Sequence, residues 1–77
     1  MKFKEWDRVV VDAPHLGVYS EKGTVLGRPA NTAFIEYPVR LDSEVIKTRH
    51  SCYGLCEGGY GLFIMPRDLT LITNKPA

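Results

Sequence analysis

Nine consecutive residues constrain this chain more than any others. In Ala33-Phe34-Ile35-Glu36-Tyr37-Pro38-Val39-Arg40-Leu41 the odd positions are all apolar, and the even ones carry Phe, Glu, Pro and Arg. Side chains alternate across a strand with period two, so this pattern predicts an antiparallel strand with one face buried and one wetted. Pro38 has no N–H to give a ladder, which predicts an edge position or a bend there. Nowhere in the sequence do apolar residues recur at helical spacing for three turns, so the rest of the chain must be read as strands and loops too.

Trp6 to Asp12 is a β-branched run closed by Ala13-Pro14, and reads as the first strand. Pro14 to Glu21 contains Pro and Gly without a period, and reads as a long loop. Glu21-Lys22-Gly23 supplies a turn glycine before a second strand from Thr24 to Leu26, and Ala30-Asn31 is the tip leading to the third. Four of the seven glycines fall between Gly54 and Gly61, so Asp42 to Tyr60 reads as a glycine-rich excursion. The run Gly61 to Met65 predicts a buried strand, Pro66-Arg67-Asp68 a turn, and Leu69 to Ile72 a short closing strand. With 77 residues, no repeat and no linker, this is one domain spanning 1–77. The expected fold is all-β: a small SH3-like barrel of about five antiparallel strands, with a long insertion between the third and fourth. Its expected core is Val9, Val11, Val25, Ile35, Tyr37, Val39, Leu41, Leu62, Ile64, Leu69 and Leu71.

Two segments carry a resemblance. Asp7-Arg8-Val9-Val10-Val11 followed by Lys22-Gly23-Thr24-Val25-Leu26-Gly27 resembles the opening of SH3-like barrels of the KOW type, where a "GDxVxV" strand leads through a loop to "xKGxVxx". The segment Gly61 to Ile72 is similar to the SH3-barrel ending, in which one 3₁₀ turn precedes the last strand. The layout is also similar to the small stromal subunit of photosystem I and related ferredoxin-interacting barrels. Trp6 stands where a glycine usually precedes the Asp, which implies a different first turn. The aromatic segment that lines the proline-peptide groove of signalling SH3 domains is absent, so polyproline recognition is not implied.

Charge and composition narrow the function. Ten Lys and Arg against nine Asp and Glu leave a formal +1, too little for a dedicated duplex-DNA binder. No apolar run approaches the roughly 20 residues of a membrane span. Met1 to Asp7 lacks the apolar stretch of a signal peptide, so a cytoplasmic location with free thiols is expected.

The chemical candidates are few. His50, Cys52 and Cys56, with His15 or Glu57 as a fourth ligand, are the right types for zinc, but their spacing is no zinc signature. A Cys52–His50 dyad lacks an oxyanion site and a pocket, so no enzyme and no cofactor are expected. Gly58-Gly59-Tyr60-Gly61 lacks the Lys-Ser/Thr of a phosphate loop. Arg40, Lys47, Arg49 and His50 beside Tyr53 and Tyr60 would suit single-stranded nucleic acid, as KOW relatives imply, yet Asp42, Glu44 and Glu57 cancel much of that charge.

The expectation is therefore a non-enzymatic module docking on a larger protein, as accessory subunit, adaptor or inhibitor. Tyr19, Arg28, Lys47, Arg49, Tyr53 and Tyr60 are the expected partner-binding residues, being of the types enriched in binding hot spots. Nucleic-acid binding is the alternative, and a metal or redox-sensitive site at the cysteines a weaker one. Free-standing modules this small are typical of phage or prophage accessory genes, though no residue here marks that origin.

Overall fold

The structure, a computed structural model, describes residues 3–29, 35–44 and 51–72. Its elements are β1 (Arg8–Ala13), a 3₁₀ turn (Pro14–Leu16), β2 (Val18–Val25), β3 (Tyr37–Leu41), β4 (Gly61–Ile64), a second 3₁₀ turn (Pro66–Asp68) and β5 (Leu69–Leu71). All neighbouring strands are antiparallel, in one sheet of order β4-β3-β2-β1-β5. The described residues are all-β, with five strands, a long insertion between the third and fourth, and a 3₁₀ turn before the last. The sheet is compatible with an SH3-like barrel. Its margins are β4 and β5, joined by the Pro66–Asp68 turn rather than by a ladder among the described residues.

The inward residues follow the pleat. Val9, Val11 and Ala13 of β1, Val18 and Val25 of β2, Tyr37, Val39 and Leu41 of β3, Ile64 and Leu69 form one buried cluster, with Leu62 packed against it. Phe3 closes one end, its ring 5.3 Å from Tyr37 in an edge-on arrangement. The Phe3 N–H also donates to the Tyr37 hydroxyl oxygen at 3.2 Å. Phe3, Ala13 and Val18 were not expected in the core. Conversely Ile35 is 54% and Leu71 39% exposed. Ile35 precedes β3, where no ladder fixes the alternation; Leu71 lies opposite Val9 but on a margin strand, with no further strand to cover it.

Three local expectations are corrected by pairing across the sheet. Pro14 to Glu21 is not a long loop: Gly17, at φ 78, donates its N–H to the Pro14 carbonyl (2.9 Å) and turns the chain back. β2 then starts at Val18, because Ala13 lies opposite Val18 and Val11 opposite Glu21. The extra residue in that register lies in β2, where Tyr19 and Ser20 stand against Asp12 alone, and Ser20, at φ 48, takes the left-handed backbone of the bulge. Gly23 is no turn glycine either. It is buried within β2, opposite Val9 and Leu41, and a Cβ there would stand 2.7 Å from the Arg40 carbonyl oxygen. It is glycine because the neighbouring backbone comes too close for anything larger. Pro38, finally, is in an internal strand and fully buried. Its carbonyl accepts the Leu26 N–H at 2.7 Å one residue past β2, so its missing N–H falls where the β2–β3 ladder ends. The first, third, fourth and last strands are each shorter or shifted by a few residues from their expected bounds; Ala33 and Phe34, and the Ala30-Asn31 tip, lie outside the described residues.

Candidate functional site

The first turn contains the most informative backbone. The Asp7 N–H donates to the Lys4 carbonyl at 3.0 Å, which makes Lys4–Asp7 a β-turn. Trp6, its third residue, has φ 73, and Glu5 is not among the residues of positive φ. That is a type II turn, whose third residue is ordinarily Gly or Asn. The Trp6 N–H bonds to the Val25 carbonyl (2.7 Å) while the Val25 N–H bonds to the Asp7 carbonyl (2.9 Å). Two residues thus face one, the bulge whose first position is normally a left-handed glycine. The turn does not differ from the glycine pattern: the tryptophan adopts the glycine's conformation. Its side chain is 67% exposed.

A second left-handed segment lies in the excursion. Cys52 (φ 52), Tyr53 (φ 57) and Gly54 (φ 90) are consecutive, and the Leu55 and Cys56 N–H groups return to the Cys52 and Ser51 carbonyls at 3.3 and 3.2 Å. For a bulky residue such as Tyr this backbone is an outlier that the surroundings must hold in place. What holds it is docking against β4. A Cβ on Gly61 would lie 2.9 Å from both the Cys52 nitrogen and the Cys56 Sγ, so only glycine lets the turn sit down. Cys52 is fully buried, its thiol 3.8 Å from the Val39 carbonyl. Burial, together with the neighbouring Cys56, pushes that thiol up to about 11. Cys56 is half-buried and is also raised, chiefly by burial. Tyr53, by contrast, is 88% exposed, its ring 5.4 Å from that of Phe63.

Trp6 and Tyr53 belong to the same end of the sheet. Trp6 bonds to Val25, the next residue Leu26 to Pro38, and Pro38 pairs with Phe63 beneath Tyr53. Three strand spacings separate the Trp6 and Phe63 backbones, roughly 15 Å along the sheet. Beside this strip runs a polar one. Arg8 lies opposite Thr24, Thr24 opposite Arg40, and Arg40 opposite Gly61. Both guanidiniums are occupied. Arg8 donates to both Asp42 oxygens at 2.8 and 2.6 Å and to the Thr24 hydroxyl at 2.8 Å. Arg40 donates to both Glu57 oxygens at 2.9 Å and lies 4.6 Å over the Tyr60 ring. These hydrogen bonds hold Asp42 below the usual carboxylate range and Glu57 at about 2. Exposed pairs like these are screened by solvent and add little stability. Their consequence is that neither arginine is spare for a phosphate.

The expected binding residues therefore divide. Tyr53 and Tyr60 come together at β3–β4 with Arg40, Cys52, Cys56 and Glu57. Tyr19 (65% exposed) and the exposed Arg28 stand at opposite ends of β2. Lys47, Arg49 and His50 lie outside the described residues. His15 is 3.8 Å from the Asp68 Oδ2, between the two 3₁₀ turns, and Glu57 is committed to Arg40. Among the described residues no group of three or more His, Cys, Asp and Glu is placed to hold a metal. No described helix is long and apolar enough to cross a membrane. Trp6 is, by type and place in the sequence, a rim aromatic like Tyr19, Tyr53 and Tyr60, but a core or core-rim role keeps it off the expected binding residues; the structure exposes it. Compared with known protein families, curated proteins and solved structures, the chain matches none.

Proposed function

We propose that the chain is a non-enzymatic, cytoplasmic protein-binding module whose contact face is the sheet end bearing Trp6 and Tyr53. The observation that carries this reading is the backbone under those two residues. Both aromatics occupy left-handed positions that glycine or asparagine would fill at lower cost, and both are held out into solvent. Strain of that kind persists where the side chain has a use. Rigid, exposed aromatics fixed by the fold are the anchors that dominate protein interfaces, since little entropy remains to be lost on binding. The half-buried Phe63 beneath Tyr53 adds apolar surface to the face, and the paired arginines give it a polar rim.

The 3₁₀ ending and the opening strands also support kinship with KOW-type barrels. Nucleic-acid binding draws no support from Arg8 and Arg40, which are tied to carboxylates; Lys47, Arg49 and His50 lie outside the described residues. The test is capture of partners by the tagged full chain from its host lysate, with and without nuclease, beside Trp6→Ala and Tyr53→Ala. A stoichiometric protein that survives nuclease and is weakened about tenfold or more by either variant supports the reading, as hot-spot truncations cost upwards of about 1–2 kcal/mol. Co-elution that vanishes with nuclease sinks it.

A further inference from the structure

We propose that Cys52 and Cys56 form a paired dithiol that closes to an intramolecular disulfide when offered a small-molecule disulfide oxidant. This goes beyond the binding reading and does not rest on it. Neither cysteine is in a disulfide, and both lie on a turn whose backbone is already closed, with Cys56 N–H on the Ser51 carbonyl and Leu55 N–H on the Cys52 carbonyl. The left-handed run through Cys52, Tyr53 and Gly54 brings the Cys52 backbone nitrogen and the Cys56 Sγ together against Gly61, each 2.9 Å from where its Cβ would stand. Each thiol is near enough to influence the other's ionisation, while the Cys52 thiol lies 3.8 Å from the Val39 carbonyl and the Cys56 thiol 3.6 Å from the Ser51 carbonyl. Closure to an S–S bond of about 2.05 Å needs movement only within this one turn, since both cysteines belong to it. With no third protein ligand beside them among the described residues, the pair falls short of a closed zinc site and suits two-electron thiol chemistry instead.

The order of events follows from exposure. The half-buried Cys56 meets the oxidant first; the fully buried Cys52 does not. The Cys56 thiolate attacks one sulfur of the oxidant, forming a mixed disulfide and expelling the first small thiolate. Cys52 then attacks the Cys56 sulfur, forming the internal bond and expelling the second. Two protein thiols are oxidised, one small disulfide is reduced to two thiols, and the two protons pass through solvent to the leaving thiolates. Closure seals Tyr53, Gly54 and Leu55 into a small ring that contains the most exposed aromatic of the excursion.

The experiment uses the reduced full chain in oxidised and reduced glutathione, quenched by alkylation and read by mass. The expected product is monomeric, lighter by two hydrogens and closed to alkylation. At a fixed glutathione ratio the folded chain should favour it at least tenfold over the same chain in denaturant. Because both thiols are raised, the rate should climb about tenfold per pH unit from 7 to 9. Cys52→Ser should stop at the mixed disulfide on Cys56, and Cys56→Ser should leave Cys52 unmodified while the chain is folded. A folded wild type that ends with both thiols alkylated, or closes no better than the denatured chain, overturns the proposal. So does a folded Cys56→Ser chain that is modified at Cys52 as fast as wild type, a result that stands even if Cys52→Ser does not fold.

Discussion

Replacing Trp6 by glycine and, separately, by alanine tests the strained turn directly. Both variants lose whatever the one-third of the indole that is covered contributes, so that term cancels between them. They differ in two ways only. Alanine keeps a Cβ on a backbone at φ 73, and a non-glycine residue there costs about 1–2 kcal/mol. Glycine avoids that cost but loosens the unfolded chain, which takes back about 0.4–1 kcal/mol. Trp6→Gly should therefore be the more stable of the two by roughly 0.5–1 kcal/mol. At an ordinary strand position the sign is opposite, with alanine ahead by about the same amount. Urea unfolding of both variants, compared at equal m, reads the difference. In a domain this size it corresponds to about 2–8 °C in Tm. Equal midpoints, or alanine ahead of glycine, would refute the left-handed bulge and with it the strain argument for Trp6.

Three further outcomes follow from the same geometry. Glu57→Gln should change the acid response: Glu57 is pulled from an ordinary 4.5 to about 2 by Arg40, so its contribution is present above about 4.5 and fades as pH falls toward 2. Wild type and variant should thus differ most near neutrality and converge in acid, by less at high salt because the pair is exposed. Gly61→Ala puts a methyl 2.9 Å from the Cys52 nitrogen and the Cys56 sulfur; it should cost about 1–3 kcal/mol and speed Cys56 alkylation as the turn lifts off β4. Leu41→Ala empties a fully buried site opposite Gly23 and should cost about 2–5 kcal/mol by urea midpoint, a large share of what a domain this small has.

Much of the site was half-legible. The excursion, its tyrosines and its cysteines stand out in the sequence because glycines cluster around them. Their arrangement did not, since Arg40 meets Glu57 and Tyr60 only after β3 and β4 pair, 17 and 20 residues away in the chain. Tyr53 was legible as an aromatic in a loop; that it sits at φ 57, propped on Phe63, was not. Trp6 was noticed as a departure from a glycine pattern, yet whether the turn or the residue would give way is a question of pairing energy. The ladder from Val25 fixed the answer.

The division between sequence and structure has a physical basis. Period two in Tyr37 to Leu41 and the β-branched run Val9 to Val11 are local properties of the chain, so strand identity, the all-β class and most of the core could be read from residue order alone. The turn before β5 was legible for the same reason, since Pro66 sets its own φ, while its 3₁₀ form was implied by the resemblance to SH3-barrel endings. What the tertiary structure decided were contacts between segments far apart in the chain. Val18 to Glu21 became strand because β1 offered unpaired backbone beside it. Gly23 turned out to be a point of close approach, because Arg40 crosses it at 2.7 Å. Trp6 took a glycine's conformation because the Val25 carbonyl and N–H hold both sides of its bulge, and no pattern within seven residues of Trp6 contains Val25.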